Sequence, residues 1–271
     1  NSAIDAINQN YNSYTPVDWY LELKEAICKK FHRDNKIIYN PNQIVVSTGA
    51  KQSIANVVQA LIKPGEEVIL LAPFWVSYSA IVLMADGIPK ILKSDISNDF
   101  KVSAKQIDDA ISEKTKMIII NSPNNPSGSI YNKKELNEIA SVVKKYPNVF
   151  VLSDEIYEHI NYGTEHVSFA SIEGMYDRTI TVNGIAKAFA MTGWRIGYLG
   201  APIWIAKACT KLQGQVTSGA NCIAQRATID AITESPEKIN YMVKEFEQRK
   251  NLIIKLLSLS LIHISEPTRP L

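Results

Sequence analysis

One stretch indicates the fold and the function of this chain most clearly: Thr179-Ile-Thr-Val-Asn-Gly-Ile-Ala-Lys187-Ala-Phe-Ala-Met-Thr-Gly-Trp-Arg195-Ile-Gly-Tyr198. Its first four residues are β-branched and predict a short buried strand, which ends at Asn183-Gly184. Lys187 then stands among small and apolar residues. One interpretation is an ordinary surface lysine, since lysine is rarely buried without a partner. The other is a desolvated amine that can attack a carbonyl carbon and hold a Schiff base.

Arg195 follows Lys187 in the same stretch and carries a planar fork of donors that suits a phosphate group. A lysine nucleophile and a phosphate-binding arginine together favour pyridoxal 5'-phosphate (PLP) as a cofactor. The segment from Asn183 to Tyr198 resembles the lysine motif of class I aminotransferases, especially the bacterial aspartate aminotransferase branch. The resemblance runs from about Tyr14 to Leu257, so it does not depend on one short motif.

The resemblance implies an α/β protein with the three-layer αβα large domain of a fold type I PLP-dependent transferase. Its sheet is expected to be mixed and mostly parallel, as the alternation of strand and helix patterns also indicates. Residues 1–18 are expected to end an N-terminal segment, 19–235 to form the PLP-binding large domain, and 236–258 to form a long helix. That helix would lead to a small C-terminal domain that the chain is expected to lack.

The last segment, 259–271, breaks a helical pattern abruptly and resembles the translation of a sequencing adapter. We therefore expect it to be an artefact, with a genuine short tail as the alternative. Because the chain also begins at Asn1 without a methionine, we expect a fragment.

Charge and composition exclude several classes of partner. The 271 residues are 46% hydrophobic, and 29 basic against 27 acidic residues give a net charge of +2. This balance predicts neither a nucleic-acid-binding surface nor a membrane-binding one. No apolar run approaches the roughly 20 residues of a membrane span. The cysteines have no metal-ligand spacing and do not cluster with histidines, so we expect no metal and reduced thiols in a cytoplasmic protein: Cys28, Cys209 and Cys222.

The N-terminal part contains a residue that bears on oligomeric state. Asp18 is placed to cap a helix that carries Leu23, Ile27 and Phe31 on one face. Tyr14, just before it, can be a packing residue at a turn. The resemblance implies instead that Tyr14 reaches the cofactor phosphate of a partner subunit, and hence that the protein is a homodimer.

A glycine turn follows the next predicted strand, Ile44 to Val46. The turn contains Gly49, Ala50 and Lys51 and leads into a helix, so free backbone N–H groups and the positive end of the helix dipole point at one place. Such a turn predicts an anion site, although many helices begin this way without a ligand. The resemblance makes these three residues part of the phosphate site.

Aromatic and polar residues stand at the ends of three further predicted strands. Trp75 follows the strand Glu67 to Ala72, and Asn125 follows Lys116 to Ile120. Ligands of α/β folds bind at such strand ends, although core packing and ordinary turn formation are the alternatives. The resemblance places Trp75 on the pyridine ring of PLP and Asn125 at its phenolic oxygen, and both beside the substrate.

Asp154 closes an apolar strand, where a carboxylate without a partner is costly. A protonated pyridine nitrogen is such a partner, and the resemblance gives Asp154 this role. Tyr157 is implied to bind the same phenolic oxygen as Asn125. Where relatives often have serine, this motif has Gly184 and Ala186, so the phosphate must depend on Arg195, the Gly49 turn and Tyr14.

The expected reaction is PLP-dependent transamination between an amino acid and a 2-oxo acid, with Lys187 as the catalytic residue. Lys51 occupies a helix N-terminus, where a cation is unfavourable unless an anion lies nearby. The resemblance places it near the distal carboxylate of a substrate, which favours aspartate with 2-oxoglutarate. The alternatives are an aromatic, prephenate or broad-specificity aminotransferase, a carbon-sulfur lyase on the same fold, and a PLP-binding protein without activity. The fragment alone is expected to be inactive.

Overall fold

The computed structural model describes residues 1–15, 17 and 20–258. Residues 1–234 form one compact unit, and a second unit begins at Ser235. The predicted cap Asp18 and the predicted adapter segment 259–271 lie outside the described residues.

A seven-stranded sheet forms the centre of the first unit, in the order β1-β7-β6-β5-β4-β2-β3. Five neighbouring strands, β6 through β3 in that order, run parallel, while β7 is antiparallel to both β6 and β1. The prediction of a mixed, mostly parallel sheet is therefore confirmed. The strands are β1 (Ile44–Ser47), β2 (Glu67–Ala72), β3 (Ile88–Lys93), β4 (Thr115–Asn121), β5 (Phe150–Asp154), β6 (Thr179–Gly184) and β7 (Gly197–Gly200).

Helices connect these strands in the first unit: α1 (Ser2–Asn8), α2 (Leu21–Lys30), α3 (Ala50–Leu61), α4 (Ser77–Met84), α5 (Ala104–Ala110), α6 (Lys133–Lys144), α7 (Ile203–Val216) and α8 (Cys222–Thr233). Residues Phe31–Asn35 continue α2 as a π-helical turn. The sequence patterns did not predict the short elements α1, α5 and β7.

The sheet is covered on both faces because its strands are apolar on both faces. On β4, Met117 and Ile119 belong to a core with helices α3, α4 and α7, whereas Ile118 and Ile120 belong to a core with α5 and α6. A third cluster joins α2 and α8 to β1 and β7. This arrangement confirms the predicted three-layer αβα fold.

The second unit contains a 3-10 turn, Pro236–Ile239, and α9, Asn240–Ser258. The sequence predicted one continuous helix from Pro236, so its first turn differs from the prediction. None of the described residues of α9 is buried. No helix of the described residues is both long and apolar enough to cross a membrane.

Parallel pairing brings the carboxyl ends of the central strands to one edge of the sheet. Asn121 at the end of β4 pairs with Asp154 at the end of β5, and Asp154 pairs with Val182 of β6. In open α/β sheets this edge is where ligands bind. The polar residues that follow β4, β5 and β6 therefore converge there.

Candidate active site

A cavity of about 280 Å³ opens at this edge of the sheet. It brings together every predicted site residue except Gly49 and Tyr14, although these residues come from six separate parts of the chain. The residues that line it are Ala50, Lys51, Trp75, Tyr78, Asn121, Asn125, Asp154, Ile156, Tyr157, Ala186, Lys187, Thr192 and Arg195.

Asp154 lies at the base of the cavity and is 3% exposed. Its Oδ1 accepts a hydrogen bond from the backbone N–H of Ile156 at 3.2 Å. Burial is the main cause that raises the pKa of the Asp154 carboxyl to about 6, against the lowering effects of its hydrogen bonds and of Lys187. A buried carboxylate with a raised pKa is in an environment that favours a cationic partner.

Tyr78 holds the other oxygen of that carboxylate. Its hydroxyl donates to Oδ2 of Asp154 at 2.6 Å, and its ring makes an edge contact with Trp75 at 5.6 Å. Sequence reasoning missed this residue. A tyrosine in the first turn of an apolar helix such as α4 is typical of core packing, and nothing in the local pattern marks its partner.

Asn121 and Asn125 shape the loop after β4. The Asn121 amide donates to the backbone carbonyl of Asp154 at 2.9 Å, and its Oδ1 accepts from the backbone N–H of Asn125 at 2.8 Å. Nδ2 of Asn125 lies 3.4 Å from the hydroxyl of Tyr157. Asn125 and Tyr157 thus present an amide and a phenol side by side at the cavity, as two donors to one oxygen would be placed. Asn121 was not among the predicted site residues.

Lys187 lies on the turn that follows β6, with its Nζ 5.6 Å from the ring centroid of Tyr157. Its side chain reaches the same cavity as Asp154. Lys187 is exposed, so the desolvated amine considered from the sequence is wrong for this structure. The residues from Thr192 to Arg195 in the same segment are also exposed, whereas Ala188 is buried at 5% exposure.

The anion-binding turn has the expected form. Gly49 precedes α3 with a φ of 86°, and no described side chain caps this helix. Arg195, itself in the left-handed region at φ 56°, packs directly on Gly49. A Cβ at Gly49 would lie 3.0 Å from Cζ of Arg195 and nearer still to one of its terminal nitrogens. The guanidinium and the start of α3 therefore face the same small volume.

Gly197 of β7 keeps this turn close to the sheet. A Cβ there would lie 2.7 Å from Cα of Ala50 and would collide with the backbone N of that residue. Gly184 is similarly restricted, because a Cβ would lie 2.9 Å from the carbonyl oxygen of Ile196. Backbone packing thus favours glycine at both positions.

Lys51 and Trp75 lie together on one side of the cavity. The Nζ of Lys51 is 4.7 Å from the Trp75 ring centroid, within the range of a cation–π contact. Tyr14, in contrast, is 99% exposed and does not line the cavity. The structure of one chain therefore leaves Tyr14 outside the site, and its predicted role for a partner subunit stays a prediction.

These residues fit PLP. The Asp154 carboxylate would hold the ring nitrogen of PLP, and Arg195 with the start of α3 would hold its phosphate. The Lys187 amine would bind its carbonyl carbon. Together with a mostly parallel αβα sheet, this donor set is typical of the PLP-binding large domain of fold type I.

Comparison with known proteins specifies the family. The model of the family described as aminotransferase class I and II matches residues 1–269, and the chain belongs to this family. The family uses PLP. A bifunctional aspartate aminotransferase and glutamate/aspartate-prephenate aminotransferase of Petunia hybrida is 45% identical over 271 residues, covering 98% of this chain and 57% of the relative.

Solved structures agree. The crystal structure of the aspartate aminotransferase from Rhizobium meliloti is 39% identical, with a TM-score of 0.93 over 95% of this chain and 65% of that one. The Thermus thermophilus aspartate aminotransferase with maleate is 37% identical, with a TM-score of 0.91 over 97% of this chain and 70% of that one. The chain spans 57% and 53% of the lengths of the Petunia relative and of an aspartate aminotransferase of Pinus pinaster.

Proposed function

We propose that this protein transfers an amino group between an amino acid and a 2-oxo acid, with PLP attached at Lys187. The observation that carries the proposal is the shared cavity of Lys187, Asp154 and Arg195 at the carboxyl end of the sheet. These three side chains provide a nucleophile, a carboxylate and a phosphate-binding guanidinium within one site. PLP, when bound, supplies an electron sink for the substrate α-carbon.

Each residue has a role that follows from its position. Arg195 and the backbone N–H groups at the start of α3 bind the phosphate, because both face the volume beside Gly49. Trp75 covers one face of the ring. The Asp154 carboxylate keeps the ring nitrogen protonated, which preserves the positive charge that draws electrons from the α-carbon.

Asn125 and Tyr157 donate to the phenolic oxygen, since their polar atoms lie together at 3.4 Å. With PLP bound, the Lys187 amine would be the base that removes a proton from the substrate α-carbon and, once protonated, the acid that returns it. One basic group on one side of the ring is sufficient for both transfers, and Lys187 projects from a turn beside Tyr157.

The preferred substrates in this proposal are aspartate and 2-oxoglutarate. Lys51 places a cation at the cavity wall beside Trp75, and a second carboxylate on the substrate would complement that charge. The relatives of Petunia hybrida and Rhizobium leguminosarum are named for aspartate and prephenate. Prephenate is therefore the alternative acceptor, and it also carries two carboxylates.

We further propose that the protein is a cytoplasmic homodimer. The almost fully exposed Tyr14 supports the dimer, because an isolated tyrosine ring in water has no packing role in its own chain. The described cysteines Cys28, Cys209 and Cys222 are all free, which suits a reducing compartment.

The proposal is tested with the full-length gene product. Borohydride reduction after incubation with PLP should fix the cofactor to the wild-type protein, and peptide mapping should locate it at Lys187. Lys187→Ala should lose this attachment, while Lys207→Ala, an exposed lysine on α7, should retain it. Attachment that persists in Lys187→Ala would refute the assignment. Transfer from aspartate to 2-oxoglutarate, compared with pyruvate release from cystathionine, separates the aminotransferase from a lyase.

A further inference from the structure

A buried ion cluster lies beneath the candidate active site. We define it by the charged and amide side chains that contact one another between α2, β6 and the loop after β5: Lys30, Asp34, Asn35, Glu155, Glu158, His159, His166 and Asn183. None of these side chains lines the cavity. Burying this many polar groups is costly unless each is paired, so the cluster calls for an explanation.

Lys30 and Asn35 form the α2 side of the cluster. Lys30 is 2% exposed, and its Nζ donates to Oδ1 of Asn35 at 2.7 Å and to Oε1 of Glu158. The π-helical turn Phe31–Asn35 follows Lys30 directly. A π-helical turn is rare and is frequently found at functional sites. Here the π-helical turn coincides with the contact between Lys30 and Asn35, which are five positions apart.

Glu158 is the centre of the cluster. Its Oε2 accepts from Nδ2 of Asn35 at 2.6 Å, and its Oε1 accepts from Nδ2 of Asn183 at 2.8 Å. Three elements therefore hold this one carboxylate: α2 through Lys30, the π-helical turn through Asn35, and β6 through Asn183. Burial raises the pKa of Glu158, but the nearby Lys30, His159 and His166 lower it to about 2. The carboxylate is therefore charged.

A metal ion is not required to balance this charge. Two groups, Asp34 with Glu158 and His159, and Glu155 with Glu158 and His166, are close enough to share an ion. The Lys30 ammonium already contacts Glu158, the carboxylate that both groups share, and supplies a positive charge there. His166 contacts Glu155 at 3.1 Å, and this contact outweighs the lowering effect of burial and raises the pKa of His166.

Glu158 adjoins Tyr157, which reaches the cavity from a loop. β5 ends at Asp154. Glu155 still donates its backbone N–H to the carbonyl of Val182 on β6 at 2.9 Å, and the residues after it form turns. The only described hydrogen-bond contact of the Tyr157 hydroxyl is Asn125 at 3.4 Å, which is too long for a strong bond. The position of Tyr157 therefore depends on how firmly its backbone is held. Backbone bonds from Ile160 to the Tyr157 carbonyl and from Glu158 to the Glu155 carbonyl close the turn. The side chain of the adjacent Glu158 ties this turn to α2 and β6.

We propose that Glu158 is a positioning residue, which holds the Tyr157 hydroxyl at the active site through its contacts with Lys30, Asn35 and Asn183. The inference rests on the proposed function, because it assigns a purpose to the placement of Tyr157 toward bound PLP. It predicts that a change at Glu158 acts on catalysis through Tyr157 rather than through folding or phosphate binding.

A double-mutant cycle in the full-length gene product tests this coupling. Glu158→Gln should lower kcat at least about ten-fold, while KM and the affinity for PLP change less than about two-fold. In a Tyr157→Phe background the same change should lower kcat less than about three-fold, because the hydroxyl that it displaces is already absent. The pH midpoint of the absorption change of bound PLP should shift in the same direction in both single variants.

A matched control is Glu67→Gln. Glu67 is also a carboxylate held by a lysine and two hydroxyls, Lys90, Ser112 and Thr115, but it lies at the amino end of β2, away from the cavity. Glu67→Gln should leave kcat and the pH midpoint of the absorption change unchanged. If Glu158→Gln prevents folding because the buried Lys30 keeps only the more distant Asp34 at 3.8 Å as a charged partner, the pair Lys30→Gln with Glu158→Gln removes both charges. This pair should show the same coupling to Tyr157→Phe.

The outcomes separate this inference from the proposed function. Wild-type protein without borohydride-reducible PLP would overturn both. Reducible PLP in the wild type, with effects of Glu158→Gln and Tyr157→Phe that simply multiply, would overturn the positioning role alone. A fall in kcat of equal size in Glu67→Gln would also overturn it, because loss of any carboxylate paired with a lysine would then suffice.

Discussion

The hydroxyl of Tyr78 and the carboxylate of Asp154 are joined by a hydrogen bond of 2.6 Å, although α4 and β5 carry them 76 positions apart. Tyr78 donates, so the bond stabilises the charged form of Asp154 and opposes the effect of burial on its pKa. The bond also fixes the rotation of the carboxylate toward the cavity. Tyr78 thus supports the group proposed to hold the PLP ring nitrogen.

Tyr78→Phe should lower kcat about ten-fold, because Asp154 loses a donor and its charged form becomes less favourable. The affinity for PLP should change little, since the proposed phosphate contacts at Arg195 are untouched. The measurement is the rate at which bound PLP changes its absorption with saturating aspartate. Tyr131→Phe is the matched control, because among the described residues the buried hydroxyl of Tyr131 bonds only to the backbone of Val102. An equal loss of kcat in both variants would contradict the role of Tyr78.

Stability without PLP should fall as the pH rises through the titration of Asp154. Its folded-state pKa of about 6 is raised above the ordinary 3.8, so the folded protein keeps the proton longer than the unfolded chain does. The resulting contribution of Asp154 to the free energy of unfolding is about 3 kcal/mol. It is fully present below the pKa of Asp154 in the unfolded chain and is lost by about pH 6 to 7.

Asp154→Asn should remove this contribution. The difference in the free energy of unfolding between variant and wild type, from urea titrations between about pH 4 and about pH 7, should grow in favour of the variant as the pH rises. If the free energies of unfolding of the two proteins differ by the same amount at every pH, the raised pKa of Asp154 is contradicted. With PLP present, Asp154→Asn should retain the bound cofactor but lose most turnover.

Gly197→Ala should destabilise the protein by about 2 kcal/mol and weaken PLP binding, because the new methyl group displaces Ala50 at the start of α3. Gly193→Ala is the control, since a Cβ at Gly193 meets no atom within 4 Å. Thermal unfolding and PLP titration measure the two effects. Normal PLP affinity in a folded Gly197→Ala protein would show that the Gly49 turn does not hold the phosphate.

Lys51→Ala should lower kcat/KM for aspartate about ten-fold or more and leave that for alanine within about two-fold, because only aspartate carries a second carboxylate. Loss of the helix N-terminal cation should not reduce stability. The comparison is made on the full-length gene product with 2-oxoglutarate as the acceptor. If aspartate and alanine are affected equally, the specificity role of Lys51 is wrong and only the aminotransferase assignment remains.

The central strands were predictable from the residues because each is a short apolar run bounded by turn residues. β2 matches its predicted bounds of Glu67–Ala72, and β6 extends two residues beyond Val182 to Gly184. β7 was missed because Gly197–Gly200 is too short and too rich in glycine to show a strand pattern. Its glycines reflect close backbone packing, which a linear pattern does not reveal.

By itself, the sequence determined the residue types at the strand ends: a lysine after β6, an acid closing β5 and a glycine turn before α3. Local chemistry and the resemblance of the motif were sufficient for that. Only the tertiary structure decided which residues hold these groups in place, including the bond from Tyr78 to Asp154 and the ion cluster around Glu158. It also decided that Lys187 is exposed. These features depend on contacts between residues far apart in the chain, and the energy of such contacts is set by burial and geometry that no local pattern contains.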